Sequence, residues 1–257
     1  RVTRLANALA ERGVRRGDRV AVLGMNSLEL LESWLAAIRL GAIAVPVNFR
    51  LVADEIAYVL TDSGASAVVV DAALAPVLDA ARQSATSVHT VITIGGDLQE
   101  VIDGSSPEPV FVDVGDEDPA FIVYTSGTTG FPKGAVLSHR NLYLHAFSSI
   151  GTLGHRADDD CWMGVAPLFH TAGVSGMLPA FLTGGRVVIP PSTAFDAASI
   201  VRTIVTEKVT SCWMTPAQWQ IVCALDGLAD SDFSHLRRIW WGAAPASKTL
   251  LQSMIDA

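Results

Sequence analysis

The sequence predicts an α/β protein built on two stacked, mostly parallel sheets flanked by helices. Short β-rich runs alternate with amphipathic helical patterns along most of the chain, the order that builds parallel sheets from βα units. Runs such as Ala67-Val68-Val69-Val70 and Arg186-Val187-Val188-Ile189 lack polar alternation, as strands covered on both faces do. Ten strand candidates crowd a single open sheet, which favours two. Half of the 257 residues are hydrophobic and 17% are charged, so the chain buries enough surface to offset its ordering entropy and is not disordered.

Taken in order, the first residues already follow an amphipathic pattern, with Val2, Leu5 and Leu9 apolar and Arg4, Glu11 and Arg12 polar; a helix is expected to be under way at Arg1. Strands are expected at 19–24, 42–47, 67–71, 88–94 and 120–125, then at 135–138, 162–165, 186–189, 210–214 and 237–240. Helical patterns lie between many of them, at 27–40, 53–62, 74–83, 141–150, 197–207, 216–225 and 247–255. The stretch 95–119, rich in Gly, Asp, Pro and Ser, reads as a surface connection, which divides the chain into subdomains 1–118 and 119–257. The pattern at 247–255 stops without a C-cap signal, so a piece of a longer chain is expected.

Between Asp160 and Arg186 there is no Asp, Glu, Lys or Arg, a length that could span a bilayer. Pro167, Pro179, Gly164, Gly173, Gly176, Gly184 and Gly185 break it into short pieces, and lipid would leave the backbone groups at those breaks unpaired. Buried core or pocket wall is the better reading, with no transmembrane span. The 18 basic residues against 26 acidic ones, net charge −8, exclude a binder of nucleic-acid backbones. Cys161, Cys212 and Cys223 have neither metal nor disulfide spacing; they read as small buried hydrophobes in a reducing cytoplasm. The oligomeric state, a homodimer included, is left open.

The chemistry concentrates in Tyr124-Thr125-Ser126-Gly127-Thr128-Thr129-Gly130-Phe131-Pro132-Lys133-Gly134. Three glycines permit positive φ and close backbone approach to a ligand. Thr125, Ser126, Thr128 and Thr129 offer hydroxyls, and Lys133 a mobile positive charge. Glycine-rich backbone can form a nest of N–H groups for an anion such as a phosphate chain. A surface turn has the same composition. Two other phosphate loops are excluded: Lys133 sits between Pro132 and Gly134, unlike the Walker lysine, and G-x-G-x-x-G is absent.

This run resembles the signature loop of the acyl-adenylate-forming superfamily (acyl-CoA synthetases, peptide-synthetase adenylation domains, firefly-type luciferases) at every fixed position. Three other stretches are similar to the family in the right order. They are Gly17-Asp18-Arg19-Val20-Ala21 leading to Gly41-Ala42-Ile43-Ala44-Val45-Pro46-Val47-Asn48, then Pro167-Leu168-Phe169-His170, then Gly242-Ala243-Ala244-Pro245. The resemblance covers the whole chain but only the first half of a family member, part of its large N-terminal domain.

The resemblance implies ATP-dependent activation of a carboxylic acid to an acyl-AMP, then thioester formation with coenzyme A. It implies that Thr125, Ser126, Gly127, Thr128, Thr129 and Gly130 wrap the ATP phosphates, that Lys133 neutralises them, and that the Thr125 hydroxyl touches Mg²⁺. Gly242, Ala243, Ala244 and Pro245 are implied along the adenine, where small side chains admit a flat base. His170, which alone would read as a core histidine, is implied beside the acyl group in a positioning and gating role. Thr171, Ala172 and Trp241 are implied to border the acyl pocket; Trp240 could equally fill core. The apolar surroundings of His170 favour a fatty acid. Alternatives are an aryl-acid ligase, a peptide-synthetase adenylation domain, or a non-catalytic nucleotide-binding or interaction protein.

Other candidates are bland. Asp158-Asp159-Asp160 reads as a solvated turn rather than a metal cluster, and Ser138 as the N-cap of a helix. Three family elements do not occur in these residues: a Tyr-Gly-x-Thr-Glu loop, a ribose-binding Asp, and a mobile C-terminal domain with a catalytic Lys. The isolated 257 residues are therefore expected to give no ATP–pyrophosphate exchange; turnover in that assay would refute the expectation.

Overall fold

The computed structural model describes residues 1–125, 130–154, 159–190 and 194–256. They form two compact units: Arg1–Tyr143 with Phe169–Thr171, and Leu144–Leu168 with Ala172–Ala257.

The first unit holds β1 (Arg19–Leu23), β2 (Ile43–Val47), β3 (Ala65–Asp71), β4 (Thr90–Ile94), β5 (Pro119–Thr125) and β6 (Lys133–Ser138), ordered β4-β3-β1-β2-β5-β6. All neighbours pair parallel except β5 and β6, which are antiparallel. Between them run α1 (Val2–Glu11), α2 (Leu28–Arg39), α3 (Ala53–Ser63), α4 (Ala75–Arg82) and α5 (Leu98–Asp103).

Both faces of its central strands β1, β2 and β3 are dry. Ala21, Leu23, Val45, Val47, Val68 and Val70 pack with Ile56, Val59 and Leu60 of α3 and Leu78 of α4. The alternate positions Val20, Val22, Ala44, Ala67 and Val69 are equally buried and, by the pleat, point to the opposite face. Trp34 of α2 sets its ring edge-on to Phe121 of β5, with centroids 5.6 Å apart. Ser27 starts α2 by accepting the Leu30 N–H at 3.1 Å. At the far end of α3, Gly64 turns left-handed (φ +62°), and the Arg19 guanidinium donates to the carbonyls of Ser63 and Gly64 at 2.6 and 2.7 Å.

The stretch 95–119 is more than a surface connection. It holds α5, whose Leu98, Val101 and Ile102 are buried, while Arg4 and Asn7 of α1 donate to the carbonyls of Ser105 and Ser106. One and a half helical turns are too short a period to stand out among Gly, Asp and Pro. The compact units likewise divide after Tyr143, where the sequence places the division at 118/119, because β5 and β6 complete the first sheet. The helix α6 (His139–Leu153) follows. Ser138 starts it as expected: the Asn141 N–H donates to Ser138 Oγ, and the Ser138 N–H to Asn141 Oδ1.

The second unit holds β7 (Cys161–Met163), β8 (Arg186–Val188), β9 (Ser211–Met214) and β10 (Arg238–Trp241), all parallel and ordered β10-β9-β7-β8. Its helices include α8 (Leu178–Thr183), α9 (Ala197–Thr206), α10 (Pro216–Cys223) and α11 (Lys248–Asp256), with α7 (Thr171–Gly176) ahead of them. The uncharged stretch thus supplies a strand and two short helices, with Leu168, Met177 and Ala180 buried. No helix among the described residues is long and apolar enough to cross a membrane. Cys161 and Cys212 are buried as expected, and burial pushes the Cys212 thiol up to about 12.

Asp160 departs from the solvated turn expected for the acidic triplet. It is buried, and its carboxylate accepts from Arg237 at 2.7 Å and Arg238 at 2.5 Å, with Thr210 Oγ1 at 3.4 Å. Asp159 pairs with Arg237 at the surface; Asp158 lies outside the described residues. Removing one partner of a buried ion pair leaves the other charges uncompensated. Asp160→Ala is therefore expected to destabilise the chain by about 3 kcal/mol in denaturant unfolding. A loss within about 0.5 kcal/mol, typical of surface sites, would contradict this assignment.

Candidate active site

The glycine-rich segment joins β5 to β6, and its two stems are paired: Tyr124 lies opposite Gly134 and Thr125 opposite Lys133. Glycine at 134 is a steric requirement, since a Cβ there would fall 2.6 Å from Ile122 Cγ2 and 3.2 Å from the Tyr124 ring. Gly130 takes φ +102°, a conformation that favours glycine. Thr125 is exposed and its hydroxyl donates to the Lys133 carbonyl at 3.5 Å; Lys133 is exposed at the start of β6. Ser126, Gly127, Thr128 and Thr129 lie outside the described residues.

A cavity of about 470 Å³ opens beside these stems. It lies at the carboxyl ends of the parallel neighbours β2 and β5, the edge where open α/β sheets bind their ligands. Val47 and Asn48 come from the end of β2, Glu55 and Val59 from α3, Val123 to Thr125 from β5, and Pro132 from the approach to β6. Phe169, His170 and Thr171 complete the wall. The structure thus brings Thr125, His170 and Thr171 of the expected site residues onto one cavity.

His170 is held by an aromatic and cationic stack. Its ring lies 4.4 Å from that of Phe169, which meets Phe49 edge-on at 5.5 Å. The Arg50 guanidinium sits 4.8 Å from the Phe49 centroid and 5.8 Å from that of Phe169, within cation–π range. Partial burial, and then the like charge of Arg50, hold the His170 pKa below the usual imidazole value. Phe49, Arg50 and Glu55 are contributors that the sequence does not mark. The one signal for Phe49 and Arg50 is position, close after the apolar strand 42–47, while Glu55 comes from the first turn of α3.

The remaining expected residues belong to the second unit. Gly242, Ala243, Ala244 and Pro245 follow β10 directly; Ala243 takes φ +67°, and a Cβ on Gly242 would lie 3.0 Å from the Trp213 ring. Trp241 is 42% exposed, and Ala172 is half-buried. Trp240 packs inward: its ring meets Trp162 at 5.6 Å, and its carbonyl accepts the Trp219 indole N–H at 2.9 Å. Among the described residues no group of three His, Cys, Asp or Glu side chains could hold a metal ion.

A mostly parallel α/β sheet with a cavity at the carboxyl ends of β2 and β5 is the ligand-binding arrangement of the open α/β class. The AMP-binding enzyme family model matches residues 1–257, and the chain belongs to that family. It is 36% identical over 251 residues to the long-chain-fatty-acid–CoA ligase FadD13 of Mycobacterium tuberculosis, across 97% of this chain and 49% of that protein. It is also 36% identical over 262 residues to a feruloyl-CoA synthase of an Amycolatopsis species, across 100% of this chain and 50% of that one. The fold is similar to the inhibitor-bound N-terminal domain of FACL13 from M. tuberculosis, with a TM-score of 0.93 at 33% identity over 99% of this chain and 64% of that one. The chain spans about half the length of the curated relatives it matches.

The stack around His170 makes a measurable demand. His170 is expected to titrate below an ordinary histidine, and Arg50→Gln is expected to move its pKa back up by removing the nearby like charge. Imidazole NMR titration of the two proteins checks this; an unchanged or lowered pKa in the variant would show that Arg50 does not act on the ring.

Proposed function

We propose that the full-length protein carrying this chain is an AMP-forming acid–thiol ligase: it activates a carboxylic acid with ATP and passes the acyl group to coenzyme A. The observation that carries this reading is the Tyr-Thr-Ser-Gly-Thr-Thr-Gly-x-Pro-Lys-Gly hairpin opening beside the cavity that His170 lines. A carboxylate oxygen attacks the α-phosphorus of ATP, the bond to the bridging oxygen of pyrophosphate breaks, and acyl-AMP forms. The coenzyme A thiolate then attacks the acyl carbon, and the bond to AMP breaks.

Residues 125–130 and Lys133 offer N–H groups, hydroxyls and a positive charge to the β- and γ-phosphates, where charge builds as pyrophosphate departs. Mg²⁺ supplies further charge neutralisation there when bound. The acid arrives ionised at neutral pH, so the first step needs no general base. A neutral His170, wedged against Phe169, fits a positioning and gating role beside the acyl group. Gly242, Ala243, Ala244 and Pro245 offer a small-residue edge for the adenine, with Thr171, Ala172 and Trp241 toward the acyl chain.

For the acid we favour a fatty acid, because Val47, Leu51, Val59, Val123 and Phe169 give the cavity beside His170 a largely apolar wall and one relative at 36% identity is a long-chain-fatty-acid–CoA ligase. An aryl acid is the second reading, favoured by the equal identity to a feruloyl-CoA synthase. A cytoplasmic setting agrees with the unpaired cysteines.

In the full-length protein, Lys133→Met is expected to lower ATP-dependent acid activation by about 10² to 10³, the usual cost of one lost electrostatic donor at a transition state. Hydroxamate trapping of activated acids, run over a panel of alkyl and aryl acids, reads this out and sets the acid class. Undiminished activation in the variant would overturn the assignment of the hairpin.

A further inference from the structure

The two stems of the glycine-rich segment are gripped by one turn of one helix. On the entering stem, the Tyr124 hydroxyl donates to Asp62 Oδ2 at 2.6 Å. On the leaving stem, the Tyr58 hydroxyl donates to the Pro132 carbonyl at 3.1 Å, and the Tyr58 ring stacks on Phe131 at 5.3 Å with 28° between planes. Tyr58 and Asp62 are four residues apart on α3, so they share a helix face.

That helix is itself immobilised. Ile56, Ala57, Val59, Leu60 and Ser63 are buried. Its first turn is closed by the Val52 N–H donating to Glu55 Oε2 at 3.0 Å, and its last by the Arg19 bonds to Ser63 and Gly64. The contacts also account for Phe131, a 67% exposed aromatic with no core to fill.

We infer that α3 is the mount of the phosphate-binding hairpin, with Tyr58 and Asp62 as positioning residues that hold its two stems at a fixed separation for the triphosphate of ATP. The inference rests on the proposed function of that hairpin. Rich in glycine and small hydroxyls, the segment loses conformational entropy when it wraps an anion. Stems fixed beforehand reduce that loss, which is the gain from preorganisation. Neither side chain needs to touch ATP. Partial burial and the Asp62 carboxylate both raise the Tyr124 pKa, so the phenol stays a donor through the physiological range.

The test uses the full-length protein with Asp62→Ala, Tyr58→Ala, and the conservative pair Asp62→Asn and Tyr58→Phe. The two alanine variants are expected to raise the KM for ATP about tenfold, with the KM for the acid and the thermal midpoint nearly unchanged. Asp62→Asn, which keeps an acceptor, and Tyr58→Phe, which keeps the stack, are expected to recover most of the loss. Trypsin cleavage after Lys133, which requires no activity, should be several-fold faster in the alanine variants. If Tyr58→Ala does not fold, Asp62→Ala and Tyr58→Phe carry the test. An unchanged KM for ATP, an equal rise in both KM values, or unchanged cleavage in Asp62→Ala would overturn the inference. Lys133→Met in the same kinetic assays separates the two ideas: if it cripples ATP use while Asp62→Ala does not, only the mount fails; if it too is harmless, the assignment of the hairpin fails.

Discussion

In a parallel sheet each strand must be followed by a crossover, so the backbone at its carboxyl end is carried away to a helix. The pairing of β5 with β6 breaks that rule. β6 returns antiparallel at once, and the residues joining Thr125 to Lys133 leave and re-enter the sheet at the edge where β2 also ends. The cavity and the hydrogen bonds from α3 border the stems of this one antiparallel pair.

The pair in turn depends on depth of anchoring. Phe121 of β5 is held by Trp34, Val123 is buried, and Ile122 and Tyr124 pack on the α3 side of the sheet. One stem is therefore continuous with the dry core of the first unit, while the other, from Lys133 to Val136, is largely exposed. A hairpin with one fixed and one solvent-facing strand would lean unless something reached the second strand from outside the sheet. Tyr58 makes that contact through Phe131 and Pro132.

Much of this was legible in the sequence, for physical reasons. The apolar run 67–70 became a buried parallel strand, as its lack of alternation implied, whereas 186–189 became the edge strand β8, parallel but with Arg186 exposed and its valines only half-buried. Thr125, His170 and Thr171, singled out by resemblance along the chain, do line one cavity; His170 stood out only through its Pro-Leu-Phe-His context. The failures share a cause as well. The helix α5 carries its apolar stripe on only Leu98, Val101 and Ile102, too few turns for a period to show. Asp160 reads as solvent-facing until Arg237 and Arg238, more than seventy residues away, arrive beside it. Arg50, Tyr58 and Asp62 carry no motif of their own, since their importance lies in contacts across the fold that spacing along the chain does not encode.

Charge around His170 shows how function shapes a site that needs little acid–base chemistry. A histidine meant as a general base is commonly oriented by a carboxylate, which raises its pKa and fixes its tautomer. Here the nearby charge is Arg50, and both partial burial and that charge push the ring toward its neutral form. A flat ring braced on Phe169 and held below the usual imidazole pKa is a weaker proton acceptor than an ordinary histidine, which agrees with the positioning role proposed for it at the cavity wall.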